Sequence, residues 1–312
     1  MSKPKNRAIF KKTSSLSAPT PIPDARQIPG PGPIDVVGSL PMSSYISVVG
    51  VHTTLLTFTA LFLPRNSFLA GLTWLEWDPS QLTSRDRPQH PFLEALTMSP
   101  TSTLACICLG SIVVQGWWAG WIRDCWLRSV MEGNEDEQKL DKALVDRKKF
   151  AEVASAWGAT LVSSFVVHAT LVLFGAPLLS HVLQTYLLAL LLSVLTAFPP
   201  AYVFGPPSFG NSTSALVKRL TWIRLFAEFS IRNSIERAIV YPVIGTAVGC
   251  WIGIIPIALD WDRPWQAWPL TPAFGAMGGY ITASICALTF NTTRQIAIDQ
   301  MRSQRTSKQK TS

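Results

Sequence analysis

Residues 239 to 259 read Ile239-Val-Tyr-Pro-Val-Ile-Gly-Thr-Ala-Val-Gly-Cys-Trp-Ile-Gly-Ile-Ile-Pro-Ile-Ala-Leu259, with no acidic or basic side chain anywhere in the run. A helix in a soluble protein keeps a polar face, whereas a helix crossing a hydrocarbon core of ~30 Å needs about 20 apolar residues in succession. The stretch therefore reads as a membrane span. Five more windows of the same kind follow from the same test: Ser44 to Leu63, Thr101 to Ile122, Ala154 to Phe174, Ser180 to Phe204 and Leu270 to Phe290. The whole chain of 312 residues is 48% hydrophobic and only 15% charged, a balance that soluble domains seldom show. The expected fold is an all-α membrane protein of six transmembrane helices.

The loops between these windows carry the orientation. Six Lys and Arg precede the first span, seven follow the second, five follow the fourth and five lie in the tail, against three, none and one in the remaining loops. The positive-inside rule then puts the N-terminus and the C-terminus both in the cytosol. The net charge of +8 is mostly topology. Scattered over four juxtamembrane segments, it argues against nucleic acid and leaves anionic headgroups as a minor use. The first forty residues are polar and proline-rich, so no cleavable signal is expected and the first span serves as its own insertion signal.

Three parts are expected: residues 1–43 as a disordered cytosolic arm, residues 44–290 as the six-span membrane domain, and residues 291–312 as a basic cytosolic tail. Pro19, Pro21, Pro23, Pro29, Pro31 and Pro33 lie among Ser, Thr and Gly in the arm, which has too little apolar surface to offset the entropy of ordering. The charged segment from Arg123 to Glu152 reads as a solvated helix or linker. Between Ser214 and Arg237, Leu216, Leu220, Ile223, Leu225, Phe226 and Phe229 recur at helical spacing among Lys218, Arg219, Arg224 and Arg232. That pattern suits an amphipathic helix on the membrane surface or one packed on the ends of the spans. Sequons at Asn211 and Asn291 fall on the cytosolic side, where neither is glycosylated. Lys308 and Lys310 match the spacing of a dilysine retrieval signal of the endoplasmic reticulum.

Helix packing has its own signal. Gly245, Gly249 and Gly253 in the fifth span, and Gly275, Gly279, Ala283 and Ala287 in the sixth, recur every fourth position, so each span presents a flat stripe for close contact. The stripes can meet each other, which their adjacency in sequence favours, or receive helices of another protein. Between them lies the most distinctive turn of the chain, Asp260-Trp261-Asp262-Arg263-Pro264-Trp265-Gln266, on the lumenal face. Its tryptophans suit the headgroup layer. Arg263 can fork onto a carboxylate or a phosphate, so the turn reads either as a surface for a partner or lipid headgroup or as an internal Asp to Arg clamp. The loop from Pro64 to Pro100 carries a second aromatic and acidic group, Trp74, Glu76, Trp77 and Asp78.

Chemistry is sparse. His52 and His168 are polar residues inside spans and hence functional candidates, although a neutral imidazole bonded to a neighbouring helix is the commoner use. Asp260 and Asp262 make too thin a site for a hard cation beside Arg263. The five cysteines, Cys106, Cys108, Cys125, Cys250 and Cys286, lack metal spacing and read as small buried residues. No nucleophile motif, zincin motif or phosphate loop occurs, so no catalytic residue, metal or cofactor is expected.

The His-Thr-Thr-Leu-Leu stretch from His52 to Leu56, Leu63-Pro-Arg65, Tyr241-Pro with its glycine stripe, and Leu259-Asp-Trp-Asp-Arg-Pro-Trp-Gln266 together resemble the Pig-F family of glycosylphosphatidylinositol (GPI) biosynthesis, in its fungal form. The likeness runs over roughly residues 44 to 290. It implies a noncatalytic multi-pass subunit of the endoplasmic reticulum that stabilises the large catalytic ethanolamine-phosphate transferases acting on mannose 2 or mannose 3 of the GPI precursor. Phosphatidylethanolamine and the GPI precursor are then the membrane lipids to consider. The competing expectation is a protein that presents or translocates one of those lipids to the lumenal site.

Overall fold

The computed structural model describes residues 40–65, 91–130, 135–177, 179–208, 210–259 and 263–311. The expected disordered arm up to residue 39, the Trp74 to Asp78 group and Asp260, Trp261 and Asp262 lie outside the described residues. Within them the chain is helical, with no strand. The helices are α1 (Met42–Leu61), α2 (Pro91–Thr97), α3 (Pro100–Val130), α4 (Glu135–Leu173), α5 (Val182–Thr196), α6 (Phe198–Phe204), α7 (Thr213–Phe226), α8 (Ser234–Ile252) and α9 (Leu270–Thr311). Six segments among them are long and apolar enough to cross a bilayer: Met42–Arg65, Pro100–Val130, Lys148–Leu173, Val182–Phe204, Ser234–Ala258 and Leu270–Lys308.

Several boundaries differ from the hydropathy windows, each for a local reason. The fourth span is two helices, because Pro199 and Pro200 lack the N–H groups that would continue α5, and both fit only the first turn of a new helix. The fifth begins at Ser234, where the Asn233 side chain accepts from the Glu236 N–H as an N-cap. That draws Glu236 and Arg237 into the helix. The sixth does not stop at Phe290: α9 continues as one helix through the basic tail to Thr311. The charged segment after the second span is likewise mostly helix, the last turns of α3 and the first of α4.

α5 lies at the centre, packed on α3, α4, α8 and α9, while α1 lies against α3 and α9. One apolar cluster joins Leu56 of α1, Leu104 and Ile107 of α3, Leu188 and Leu191 of α5, and Met277 and Tyr280 of α9. A second, nearer the basic end, joins Tyr45, Trp118, Ile122, Ile235 and Ile239. α4 is peripheral and leaves Val162, Phe165 and Val166 uncovered, as suits a helix facing lipid tails. On α7, Leu225 is buried while Leu216, Leu220 and Ile223 are exposed, and Trp222 Nε1 donates to the Gly205 carbonyl at 2.9 Å. With its apolar side uncovered and basic side chains beside it, α7 has the build of a helix lying in the interface.

Candidate functional site

The two small-residue stripes lie face to face. A Cβ placed on Gly245 would collide with the Gly279 carbonyl oxygen and Ala283 Cβ, one on Gly249 with the Gly275 carbonyl oxygen, and one on Gly253 with that of Thr271. Seen from α9, Gly275 meets Gly249 and Gly279 meets Gly245 in the same way. Backbone therefore lies on backbone along the whole seam, which maximises dispersion contact and aligns Cα–H groups with carbonyls in a medium that supplies no hydrophobic drive between helices. These faces are consumed inside the chain. What α8 offers to its surroundings is the opposite side, with Ile244, Val248, Trp251 and Ile252 exposed.

Among the described residues, the Gln266 side chain ties the two ends of the connection between the two spans. Gln266 Nε2 donates to the carbonyls of Pro256 at 2.6 Å and Leu259 at 2.7 Å, while its Oε1 accepts from the Arg263 N–H at 2.8 Å. Pro264, Trp265 and Gln266 form a single 3-10 turn, α2 packs beside it, and Trp268 Nε1 donates to Thr185 Oγ1 of α5 at 3.0 Å. Arg263 is half-buried next to this lock. The clamp that the described residues contain is thus built on an amide, which can donate twice and accept at once as a carboxylate cannot. Gln266→Leu removes three hydrogen bonds of about 1 kcal/mol each. It should lower the unfolding midpoint in mild detergent, with a loss on the order of 2–3 kcal/mol, whereas Gln266→Glu should recover only part of it.

His52 and His168 are placed differently. His52 has no exposed surface, stacks on Trp118 at 4.6 Å and meets Tyr280 edge-on at 5.6 Å. Neither ring nitrogen has a hydrogen-bond partner. The Tyr280 hydroxyl donates instead to Gln115 Oε1 at 3.2 Å. His52 therefore sits in an aromatic box joining α1, α3 and α9, without the interhelical hydrogen bond anticipated for it. His168 is half-buried, edge-on to Tyr186 at 6.0 Å. Four cysteines are buried as expected, but Cys286 is exposed, because the inward face of α9 runs through Met277, Tyr280, Ser284 and Ala287.

At the basic end, three polar networks escaped hydropathy reading. Arg123 contacts the Glu152 carboxylate and donates to the Tyr202 carbonyl at 2.5 Å, tying α3, α4 and α6. Glu236, with 2% of its surface exposed, takes both terminal nitrogens of Arg224 at 2.5 and 3.1 Å and the Arg232 N–H at 2.7 Å. Burial and the Glu236 hydrogen bonds act on Arg224 in opposite directions, and the hydrogen bonds prevail, raising its pKa further. Arg237 donates to Asn291 Oδ1 at 2.5 Å, and Asn291 Nδ2 to the Ser234 carbonyl at 3.1 Å. The second sequon asparagine is thus engaged by both ends of its amide. The sequence hint of the second network was the helical spacing from Leu216 to Phe229 among Lys218, Arg219, Arg224 and Arg232.

Among known families, the model described as GPI biosynthesis protein family Pig-F matches residues 89–288, from α2 through the membrane part of α9 and without α1. The chain is similar to the Homo sapiens and Mus musculus proteins named GPI ethanolamine phosphate transferase, stabilizing subunit. Each is 35% identical over 125 residues, 40% of this chain and 52% of the relative. It is also similar to the Pyricularia oryzae protein named Glycosylphosphatidylinositol anchor biosynthesis protein 11, 40% identical over 125 residues, 40% of this chain and 42% of that one. The chain spans about half the length of the curated relatives it matches. No solved structure matches it.

Proposed function

Because the chain belongs to the GPI biosynthesis protein family Pig-F, we propose that it is a noncatalytic, stabilising membrane subunit of the GPI ethanolamine-phosphate transferases that modify mannose 2 or mannose 3 in the endoplasmic reticulum. The observation that carries this reading is the likeness to two mammalian proteins whose names state that role. The architecture supports it. A six-span bundle with a backbone-to-backbone seam between its last two helices, and with its connecting turn locked to α5, is a rigid body against which a larger membrane protein can fold. Placing the basic end in the cytosol by the positive-inside rule puts the 260–266 turn in the lumen, facing the partner's catalytic domain or a lipid headgroup. Since the seam is closed, the partner meets the outer sides of α8 and α9.

Affinity purification of the full chain from membranes in a mild detergent tests this. A large ethanolamine-phosphate transferase subunit should co-elute in near-stoichiometric amount, and its level should fall when this chain is depleted. Recovery of the chain alone, with transferase abundance unchanged on depletion, would sink the proposal.

A further inference from the structure

Arg237 is in an electrostatic position that its own surroundings do not explain. It has 6% of its surface exposed and lies in the first turn of α8, at the positive end of that helix's dipole. The like-charged Arg294 of α9 acts against its charge. Its polar partners among the described residues are neutral: Asn291 Oδ1 and Tyr241, with the Phe290 ring 4.5 Å below the guanidinium. The adjacent carboxylate, Glu236, is committed to Arg224 and the Arg232 N–H. Burying a guanidinium without an anion costs several kcal/mol, and a neutral amide and a ring face offset only part of that.

The location supplies a remedy. Arg237 lies in the first turn of the fifth span, at its basic end, and the loop before it carries α7 with Lys218 and Arg219. Basic pockets between transmembrane helices on that side are where anionic headgroups lodge, and a guanidinium fork matches two phosphate oxygens.

We infer that the junction of α8 and α9 at Arg237 and Asn291 binds the phosphate of an anionic lipid from the leaflet at the basic end of the bundle. The phosphate completes the guanidinium's bonding and screens it from Arg294. This site is at the opposite end of α8 from the turn at Pro264–Gln266 and does not depend on the transferase.

The test is a titration of the purified full chain in mild detergent with fluorescent phosphatidylinositol, against fluorescent phosphatidylcholine as the neutral control. Phosphatidylinositol should bind at least tenfold more tightly, and Arg237→Gln should abolish that preference, since one charge-assisted hydrogen bond is worth about a factor of ten or more. Arg302→Gln, on the exposed tail, should leave it within about twofold. Asn291→Asp guards against a misfolded Arg237→Gln. It supplies a carboxylate to Arg237 directly in exchange for the Nδ2 bond to the Ser234 carbonyl, so with a cooperative unfolding transition retained it should still lose phosphatidylinositol binding. Displacement of the lipid by millimolar inorganic phosphate identifies free phosphate as a second source for the same site, and no displacement identifies the lipid as the ligand. Equal binding of the two lipids, or full binding by both Arg237→Gln and Asn291→Asp, overturns the inference.

Discussion

Gly279→Leu should leave no folded six-span bundle to purify. Its Cβ alone would collide with the Gly245 carbonyl oxygen and crowd Gly249 Cα, both backbone atoms that cannot rotate away. Overpacking a core usually costs about 1–3 kcal/mol when side chains can yield. Here the helices would have to part along the whole seam, so the cost should exceed ~4–5 kcal/mol, the range reserved for changes with a specific structural cause. Gly249→Leu should behave alike. Gly278, one position away, has nothing within 4 Å of a built Cβ, so Gly278→Ala should be neutral or stabilising by up to ~1 kcal/mol through helix propensity. Size-exclusion profiles and thermal unfolding in mild detergent read all three. A monodisperse Gly279→Leu with a wild-type midpoint would refute the seam. The same argument means that loss of a partner from these glycine variants reports on the fold of the subunit and not on the interface, and substitutions at exposed Trp251 are the proper probe of docking.

Glu236→Ala should cost about 3–5 kcal/mol, the range for breaking a buried ion pair by removing one member. Three bonds disappear together. Arg224 loses its fork, the Arg232 N–H loses its acceptor, and the loop from α7 to α8 loses its brace. That loop needs one, because Phe229 is held at a positive φ of 51°, a conformation costing a bulky residue on the order of 1–3 kcal/mol. Arg224 offsets it by also donating to the Ser230 carbonyl at 2.6 Å. The double variant Arg224→Met with Glu236→Leu should recover much of the loss, since no charge is then left buried alone. Unfolding midpoints of the two single variants and the double variant form the cycle, and strict additivity would show the pair to be uncoupled.

The membrane-spanning helices were legible because lipid demands long apolar runs, and Ile239 to Leu259 could be little else. Their ends were not legible. Whether Arg237 closes a loop or opens a helix depends on Asn233 as a cap and on Asn291, 54 residues away, as an acceptor, and hydropathy sums see neither. The break at Ala197 was written in Pro199 and Pro200, yet an apolar window runs straight across them. The glycine stripes were visible as a spacing, but a spacing does not say which helix fills it. In the turn, the charged residues Asp260, Asp262 and Arg263 are the conspicuous ones in sequence, while the described side chain that ties it is Gln266, whose amide reaches carbonyls seven and ten residues back.

Hydropathy along the chain thus determined six apolar segments long enough to cross a bilayer, the Lys and Arg tally gave an expected side for each loop, and the Leu259 to Gln266 stretch carried the resemblance to the family. These depend on transfer of residues between water and hydrocarbon, a property each segment carries with it. The partner of each face, the burial of His52 among Trp118 and Tyr280, the ion pair of Glu236 with Arg224 and the neutral partners of Arg237 among the described residues emerged from the assembled bundle. They depend on which helices approach within van der Waals distance, and a membrane helix has several faces of nearly equal hydropathy from which only packing can choose.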